Sequence, residues 1–117
     1  MAVTGIGGLF FRAQDAKALA AWYLTHLGVG APEGQFVWSQ QAGPTVFAPF
    51  KADTDYFPAD KQWMHNLRVD DLDGLIADLK AAGVAVTTNP EWDHPDVGRF
   101  ARIHDPEGNP VELWQPA

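Results

Sequence analysis

The sequence predicts an α+β fold in which two similar units each form half of a curved mixed sheet, with the helices outside. Twice, an apolar run leads through an aspartate into an amphipathic helix, in "GIGGLFFRAQDAKALAAWYLTHLGV" and in "WMHNLRVDDLDGLIADLKAAGVAV". A shift of 56 residues places Arg12 on Arg68 and Asp15 on Asp71. Short extended runs follow each helix, so each unit is predicted to be β-α-β-β-β. Chance likeness of two common strand–helix pairs is the alternative.

The first unit is predicted to contain one helix between extended segments. Asp15 is the expected N-cap and Gly28 the expected end of this helix. Its apolar positions recur at helical spacing, at Ala18, Leu19, Trp22, Tyr23 and Leu27. The segments "QFVWSQQ" and "PTVFAPF" are the expected strands after it, and "VGAP" is a weak candidate for the remaining one.

The second unit repeats this order. Asp71 is the expected N-cap of its helix, and Gly83 ends it. The apolar face of the helix consists of Leu72, Leu75, Ile76 and Leu79. The predicted strands that follow are "VAVTTNP", "GRFARIHD" and "PVELWQP". We therefore expect a single domain with module one at about residues 5–50, a linker at about 51–62 and module two at about 63–116.

The stretch "HDPEGNP" predicts a tight hairpin turn before the last strand. Asp105 suits the capping position of such a turn, Pro106 fixes its own φ, and Gly108 permits a positive φ. The turn places Glu112 at a defined register on the closing strand, in an otherwise apolar pattern.

Composition excludes several classes of function. The net charge is −7, with four lysines and four arginines scattered among fifteen carboxylates, which argues against a nucleic-acid partner. The absence of cysteine excludes disulfides, zinc–thiolate sites and iron–sulfur clusters. The N-terminal residues lack the pattern of a secretory signal, and no stretch has the length of a membrane span. The expectation is a cytoplasmic protein with no membrane partner.

The segment "DPEGNPVELWQP", taken with "FFRAQDAKALAAWYLTHLGV" and "RVDDLDGLIADLKAAGV", resembles the vicinal oxygen chelate superfamily. That group includes glyoxalase I, bleomycin resistance proteins and extradiol dioxygenases. The resemblance runs from about Gly5 to Pro116. It implies paired βαβββ modules and a ligand cleft on the concave face of the sheet.

The resemblance also implies four metal-ligand positions, usually His or Gln early in a module and Glu late. These positions correspond to Gly8, Thr45, Met64 and Glu112. A divalent transition metal needs three or more imidazole or oxygen ligands, so only Glu112 survives and no cofactor is predicted. His65 is adjacent to Met64, but a one-residue step turns a strand side chain to the opposite face unless a bulge intervenes.

Alternation along the strands predicts which residues line the cleft. They are Phe10, Arg12, Phe47, Met64, Asn66, Arg68, Phe100, Arg102 and Trp114. Arg12 and Arg68 occupy equivalent module positions, which favours a paired site for an anionic group because guanidinium binds carboxylate or phosphate well. The alternative is that these arginines neutralise nearby carboxylates or end in water.

Two further features bear on function. His104 and Glu112 lie on adjacent hairpin strands and are the candidate catalytic acid–base pair, whereas a polar role near the turn is the alternative for His104. The aromatic residues Phe50, Tyr56 and Phe57, followed by Trp63, form either a lid over the cleft or a cover for the core edge or a partner chain.

The sequence therefore favours a metal-free protein whose cleft binds a small polar or anionic molecule, with enzymatic activity left open. The alternative is a metal-dependent glyoxalase- or dioxygenase-type enzyme with non-standard ligands, in which a divalent metal is the cofactor. A homodimer is expected, because proteins of this resemblance often pair and five tryptophans provide material for an interface.

Overall fold

The computed structural model describes residues 2–117, and they form a mixed α+β fold. In chain order the elements are helix α1 (Ala16–Leu27), strand β1 (His65–Arg68), helix α2 (Leu72–Ala81), a 3₁₀ turn (Pro90–Trp92), strand β2 (Gly98–His104) and strand β3 (Pro110–Pro116). The sheet order is β1-β3-β2, with β1 parallel and β2 antiparallel to β3. Among residues 2–117, no helix has both the length and the apolarity needed to cross a lipid bilayer.

Both helices begin and end where local sequence signals predict. The Asp15 carboxylate accepts a hydrogen bond from the amide of Ala18 at 3.0 Å, and Gly28 ends α1 in the left-handed region with φ 66°. The Asp71 carboxylate accepts from the amide of Gly74 at 3.0 Å, and the left-handed Gly83 follows α2. These side chains satisfy amides that the helix itself leaves without partners.

The helices cover one face of the sheet only. The buried core consists of Leu19, Tyr23, Leu72, Leu79, Ala101, Ile103, Val111 and Leu113. On β2 and β3 these core residues alternate with Arg102, Glu112 and Trp114, which lie outside the core cluster. The face opposite the helices therefore carries the charged and aromatic residues.

The predicted strands of the first unit are absent from this sheet. Within residues 2–117, ladder hydrogen bonds join only β1, β2 and β3, and "VAVTTNP" contributes a single bridge from Thr87 to Arg102. Phe10, Phe36 and Phe47 are 81%, 91% and 86% exposed. Burying such rings requires a second apolar surface, which these segments do not find within one chain. The radius of gyration is accordingly 14.8 Å, against about 13 Å for a compact chain of this length.

The predicted hairpin turn is present and connects two distant parts of the chain. The Asp105 carboxylate accepts hydrogen bonds from the amides of Glu107 (2.9 Å) and Asn109 (3.0 Å), and Gly108 has φ 80°. Asp105 also accepts from the buried Tyr23 hydroxyl at 2.7 Å. The Glu107 carboxylate accepts from the backbone amide of Gln14 at 2.5 Å, just before α1. The turn thus fixes α1 against the final hairpin.

Replacing Tyr23 by phenylalanine is expected to lower the free energy of unfolding by about 1.5–3 kcal/mol at pH 7, because it removes a hydrogen bond to a charged group. Burial alone would raise the pKa of Asp105, but hydrogen bonds from Tyr23 and Asn109 outweigh burial and hold that pKa below its usual value. The stabilisation is therefore present above the usual carboxyl pKa, about 3.9, and is lost as the pH falls through the lower folded pKa. Urea unfolding of both proteins at pH 7 and pH 3 measures the effect. An equal difference at the two pH values would contradict this account.

Candidate ligand-binding site

Glu112 lies on the central strand β3, on the sheet face opposite the helices, and the residue is 8% exposed. In the sheet register its parallel partner is Asn66 and its antiparallel partner is Arg102. The Asn66 amide donates to Glu112 Oε1 at 2.7 Å, and the Tyr56 hydroxyl donates to Glu112 Oε2. Both carboxylate oxygens therefore accept hydrogen bonds from neutral donors.

Arg102 is buried beside this group, at 9% exposure. Its Nη2 donates to the carbonyl of Tyr56 at 2.9 Å. Its guanidinium carbon lies 4.9 Å from the centroid of the Tyr56 ring and 5.8 Å from that of Trp92, so aromatic faces help to stabilise the charge. Among residues 2–117, the one ion pair within 4.0 Å is Arg99 with Asp73, and Arg102 Nε is buried without a hydrogen-bond partner.

Tyr56 connects Glu112 and Arg102. Burial raises the pKa of Tyr56 to about 12, together with the hydrogen bond to Glu112 and the charge of that carboxylate. The nearby Arg102 opposes the shift without cancelling it. The Tyr56 hydroxyl consequently keeps its proton at neutral pH and acts as a donor.

Aromatic rings surround Tyr56. The ring centroid of Phe50 lies 5.7 Å from those of Tyr56 and Phe57, and that of Trp92 lies 6.3 Å from Tyr56. Phe50, Tyr56 and Phe57 therefore gather over the sheet. Trp63 is not part of this group and lines a separate depression, described below.

A shallow cleft of about 520 Å³, wide open to solvent, lies beside this aromatic group and is lined by residues 54–59, Arg102 and His104. A second depression, of about 340 Å³, is lined by residues 10–12, residues 60–63 and Asn109. Of the predicted binding residues, the cleft therefore contains Arg102 and the second depression contains Phe10 and Arg12.

Of the predicted binding residues, Arg102 lines the cleft and Asn66 contacts Glu112 below Tyr56. Phe100 and Trp114 form the next register pair and stack, with centroids 6.3 Å apart and planes at 4°. Met64 is half-buried and is not part of the lining of either depression.

The remaining predicted binding residues lie elsewhere. Phe10 and Arg12 line the second depression, and Phe47 protrudes from the surface. Arg68 donates to the carbonyls of Gln41 and Pro44, at 2.8 Å each, and so anchors that segment of the chain. Binding of an anion by Arg12 and Arg68 together stays a prediction.

His104 and Glu112 are not hydrogen-bonded to each other. His104 faces Pro110 across the hairpin, whereas Glu112 faces Arg102. His104 is exposed in the cleft, and its role as an acid–base partner of Glu112 stays a prediction.

His65 lies on the helix-covered side of the sheet. Its ring centroid is 4.7 Å from that of Phe11 and 6.4 Å from that of Tyr23, and burial lowers its pKa. It pairs with Val111 in an unbroken register, so no bulge turns it towards Glu112.

Sequence reasoning missed two members of this group. Trp92 is not among the predicted site residues, and the sequence leaves Tyr56 either in a lid or in a cover for the core edge or a partner chain, not on Glu112. Trp92 belongs to "NPEWDHP", where Asn89 accepts a hydrogen bond from the amide of Glu91 at 3.0 Å and starts the 3₁₀ turn. An aromatic residue inside a polar, proline-rich loop was the available signal.

The residues around Glu112 do not fit a divalent metal site. Its hydrogen-bond donors are a phenol and a carboxamide, and its register partner on β2 is Arg102, a cation that opposes metal binding. In the part of the chain that the structure describes, no three His, Asp or Glu side chains are grouped so as to hold a metal ion.

Comparisons with solved structures show what the chain is similar to. TnmS3, an antibiotic binding protein from Streptomyces sp. CB03234, is 29% identical with a TM-score of 0.62, covering 100% of this chain and 99% of its own. A glyoxalase/bleomycin resistance protein from the same organism is 29% identical, with a TM-score of 0.52 and coverage of 87% and 92%. A member of the glyoxalase/bleomycin resistance protein/dioxygenase superfamily from Sphaerobacter thermophilus shares the fold at 20% identity, with a TM-score of 0.62 and coverage of 98% and 99%.

The search of curated proteins gave no significant match. The model of the glyoxalase-like domain matches residues 8–114, which is nearly the whole chain. The chain therefore belongs to the glyoxalase-like domain family, within the vicinal oxygen chelate superfamily.

Proposed function

We propose that this protein binds a small molecule in the cleft beside Tyr56 and needs no metal to do so. The observation that carries the proposal is the set of hydrogen bonds that the Glu112 carboxylate accepts. Both of its oxygens accept hydrogen bonds from neutral side chains, next to the buried cation of Arg102. The 29% identity to an antibiotic binding protein over the whole chain supports binding rather than metal-dependent catalysis.

The cleft lining indicates a ligand with a polar end and an apolar body. Arg102 and His104 supply polar groups to the cleft lining, and Tyr56 and Phe57 supply aromatic surface. This mixture is typical of small-molecule sites, in which a few polar groups orient a mainly apolar ligand.

Binding is expected to persist when the protein is treated with EDTA, since no step depends on a metal. The test is calorimetry with small carboxylates, phosphates, neutral aromatics and aromatic antibiotics, with and without the chelator. His104→Ala, at an exposed cleft position, should lower the affinity for the best ligand. Arg12→Met, in the second depression, should leave that affinity unchanged. Binding that EDTA abolishes and zinc, nickel, manganese or iron restores would contradict the proposal. If only Arg12→Met lowers the affinity, the ligand binds in the second depression instead.

We also propose a homodimer in which each chain buries the apolar segments of its first unit against the other. Full exposure of such large rings as Phe36 and Phe47 is unfavourable in water, and fully burying one ring contributes about 1.5–3 kcal/mol. Strand β1 has a free edge, and Arg68 holds residues 41–44 at the end of this strand. Pairing with a second copy would complete the two βαβββ modules that the sequence predicts.

Sedimentation equilibrium is expected to give twice the chain mass of 12.8 kDa. Replacing both Phe36 and Phe47 by serine should shift the protein towards the monomer, because the rings are expected to be buried between the copies. The matched control is Val3→Ser with Val97→Ser, which changes exposed apolar residues outside these segments. A wild-type monomer at tens of micromolar would exclude this dimer.

A further inference from the structure

Tyr56 occupies its position in the site much as a bound molecule would. Its hydroxyl donates to Glu112, its ring lies below the Arg102 guanidinium, and the ring of Trp92 stands edge-on beside it at 67°. Residues 51–62 form turns but no helix or strand. The Tyr56 side chain is therefore held by these contacts and not by a sheet or helix backbone.

The charges at this position determine which chemical group suits it. Glu112 Oε1 accepts from Asn66, so Oε2 is the oxygen available to a further donor. An anionic group placed there would meet a carboxylate at close range, which is unfavourable. A neutral hydroxyl donates instead, as Tyr56 does with its pKa raised to about 12.

The contact with Arg102 favours an aromatic group at the place of the Tyr56 ring. The Arg102 guanidinium lies 4.9 Å above the ring centroid, and a cation is attracted to the electron-rich face of an aromatic ring. Arg102 also donates to the Tyr56 carbonyl, which the backbone supplies whatever the side chain is. An aromatic ring with an electron-donating hydroxyl satisfies both Arg102 and Glu112.

We propose that Tyr56 holds the place of a phenolic ring of the ligand, which displaces it, donates a neutral hydroxyl to Glu112 and lies below Arg102. This inference rests on the small-molecule binding function proposed above and narrows its ligand class to hydroxylated aromatics. The adjoining cleft beside residues 54–59 would hold the rest of the molecule.

Displacement has a measurable consequence. A ligand can bind only to molecules in which Tyr56 has left this position. Its apparent affinity is therefore its intrinsic affinity multiplied by the fraction of such molecules. Removing the Tyr56 side chain should therefore strengthen the binding of a small phenol. The smallest probe that reproduces the lost side chain is p-cresol.

The experiment compares p-cresol, toluene and 4-methylbenzoate by calorimetry on the full chain and on Tyr56→Gly. We expect p-cresol to bind Tyr56→Gly at least tenfold more tightly than wild type, and at least tenfold more tightly than toluene binds the same variant. Phe57→Gly is the matched control, because Phe57 is the adjacent half-buried aromatic without a hydrogen bond to Glu112. It should show no gain. Adding Glu112→Gln to Tyr56→Gly should reduce the preference for p-cresol over toluene.

Equal binding of toluene and p-cresol, or tightest binding of 4-methylbenzoate, would overturn the phenol inference and leave the proposed function standing if the wild type binds a ligand in the wider screen. Failure of the wild type to bind any compound in that screen would instead count against the proposed function. If Tyr56→Gly does not fold, Tyr56→Phe decides the matter. That variant loses only the hydroxyl, so p-cresol should bind it at least tenfold more tightly than wild type, and an unchanged affinity would overturn the inference.

Discussion

Gly98→Ala is expected to lower the free energy of unfolding by about 2–6 kcal/mol, through backbone strain and overpacking together. Gly98 has φ 133°, a region that side-chain-bearing residues avoid. A methyl group there would overlap the backbone carbonyl of Gln115 and stand 2.9 Å from the Trp114 indole nitrogen. Gly98 pairs with Pro116 on one side and bridges to His94 on the other, so the strand cannot shift to relieve the overlap.

Gly108→Ala separates the two causes. Gly108 also has a positive φ, 80°, but a methyl group there meets no atom within 4 Å. Strain alone should cost about 1–2 kcal/mol. Urea unfolding of both variants and wild type measures the difference, and equal destabilisation would show that overlap at Gly98 contributes nothing.

Leu113→Ala is expected to lower the free energy of unfolding by about 2–5 kcal/mol. Leu113 is 0% exposed on the central strand β3 and belongs to the core between the sheet and the helices. The sheet backbone around it cannot collapse into the space, so the substitution loses both buried apolar surface and packing contacts.

The control for this variant is Leu24→Ala on α1, where the side chain is 38% exposed. A surface substitution of this kind usually changes stability by about 0.5 kcal/mol or less. Thermal and urea unfolding of both variants compare the two positions. Similar losses at Leu113 and Leu24 would mean that the core does not lie where the structure places it.

Local signals made much of the second unit predictable from sequence. Asp71 and Gly83 set the limits of α2 through hydrogen bonds within a few residues, and the 105–109 turn follows from Asp105 and Gly108 in the same way. The strands of the first unit depend on pairing between distant segments. A β-like pattern such as "PTVFAPF" indicates that a segment tends to form a strand, but it does not indicate which strand it pairs with.

The site was predictable to the extent that it lies on strands. Alternation predicts Arg102, Glu112 and Trp114 on one face, and the residues that alternate with them on β2 and β3 form the core. The contact of Tyr56 with Glu112 joins a loop to a strand across 56 positions of the chain, and no periodicity describes such a contact. The same holds for the contact between the rings of Trp92 and Tyr56.

The hairpin turn at residues 105–109 has a consequence for the order of folding during synthesis. The amide of Gln14 and the hydroxyl of Tyr23 find their partners 93 and 82 positions later in the chain. Helix α1 therefore leaves the ribosome long before the residues that fix it exist. While the second unit is being translated, the first remains a marginally stable helix with apolar flanking segments, open to chaperones. Its docking is a late event, coupled to the emergence of β3.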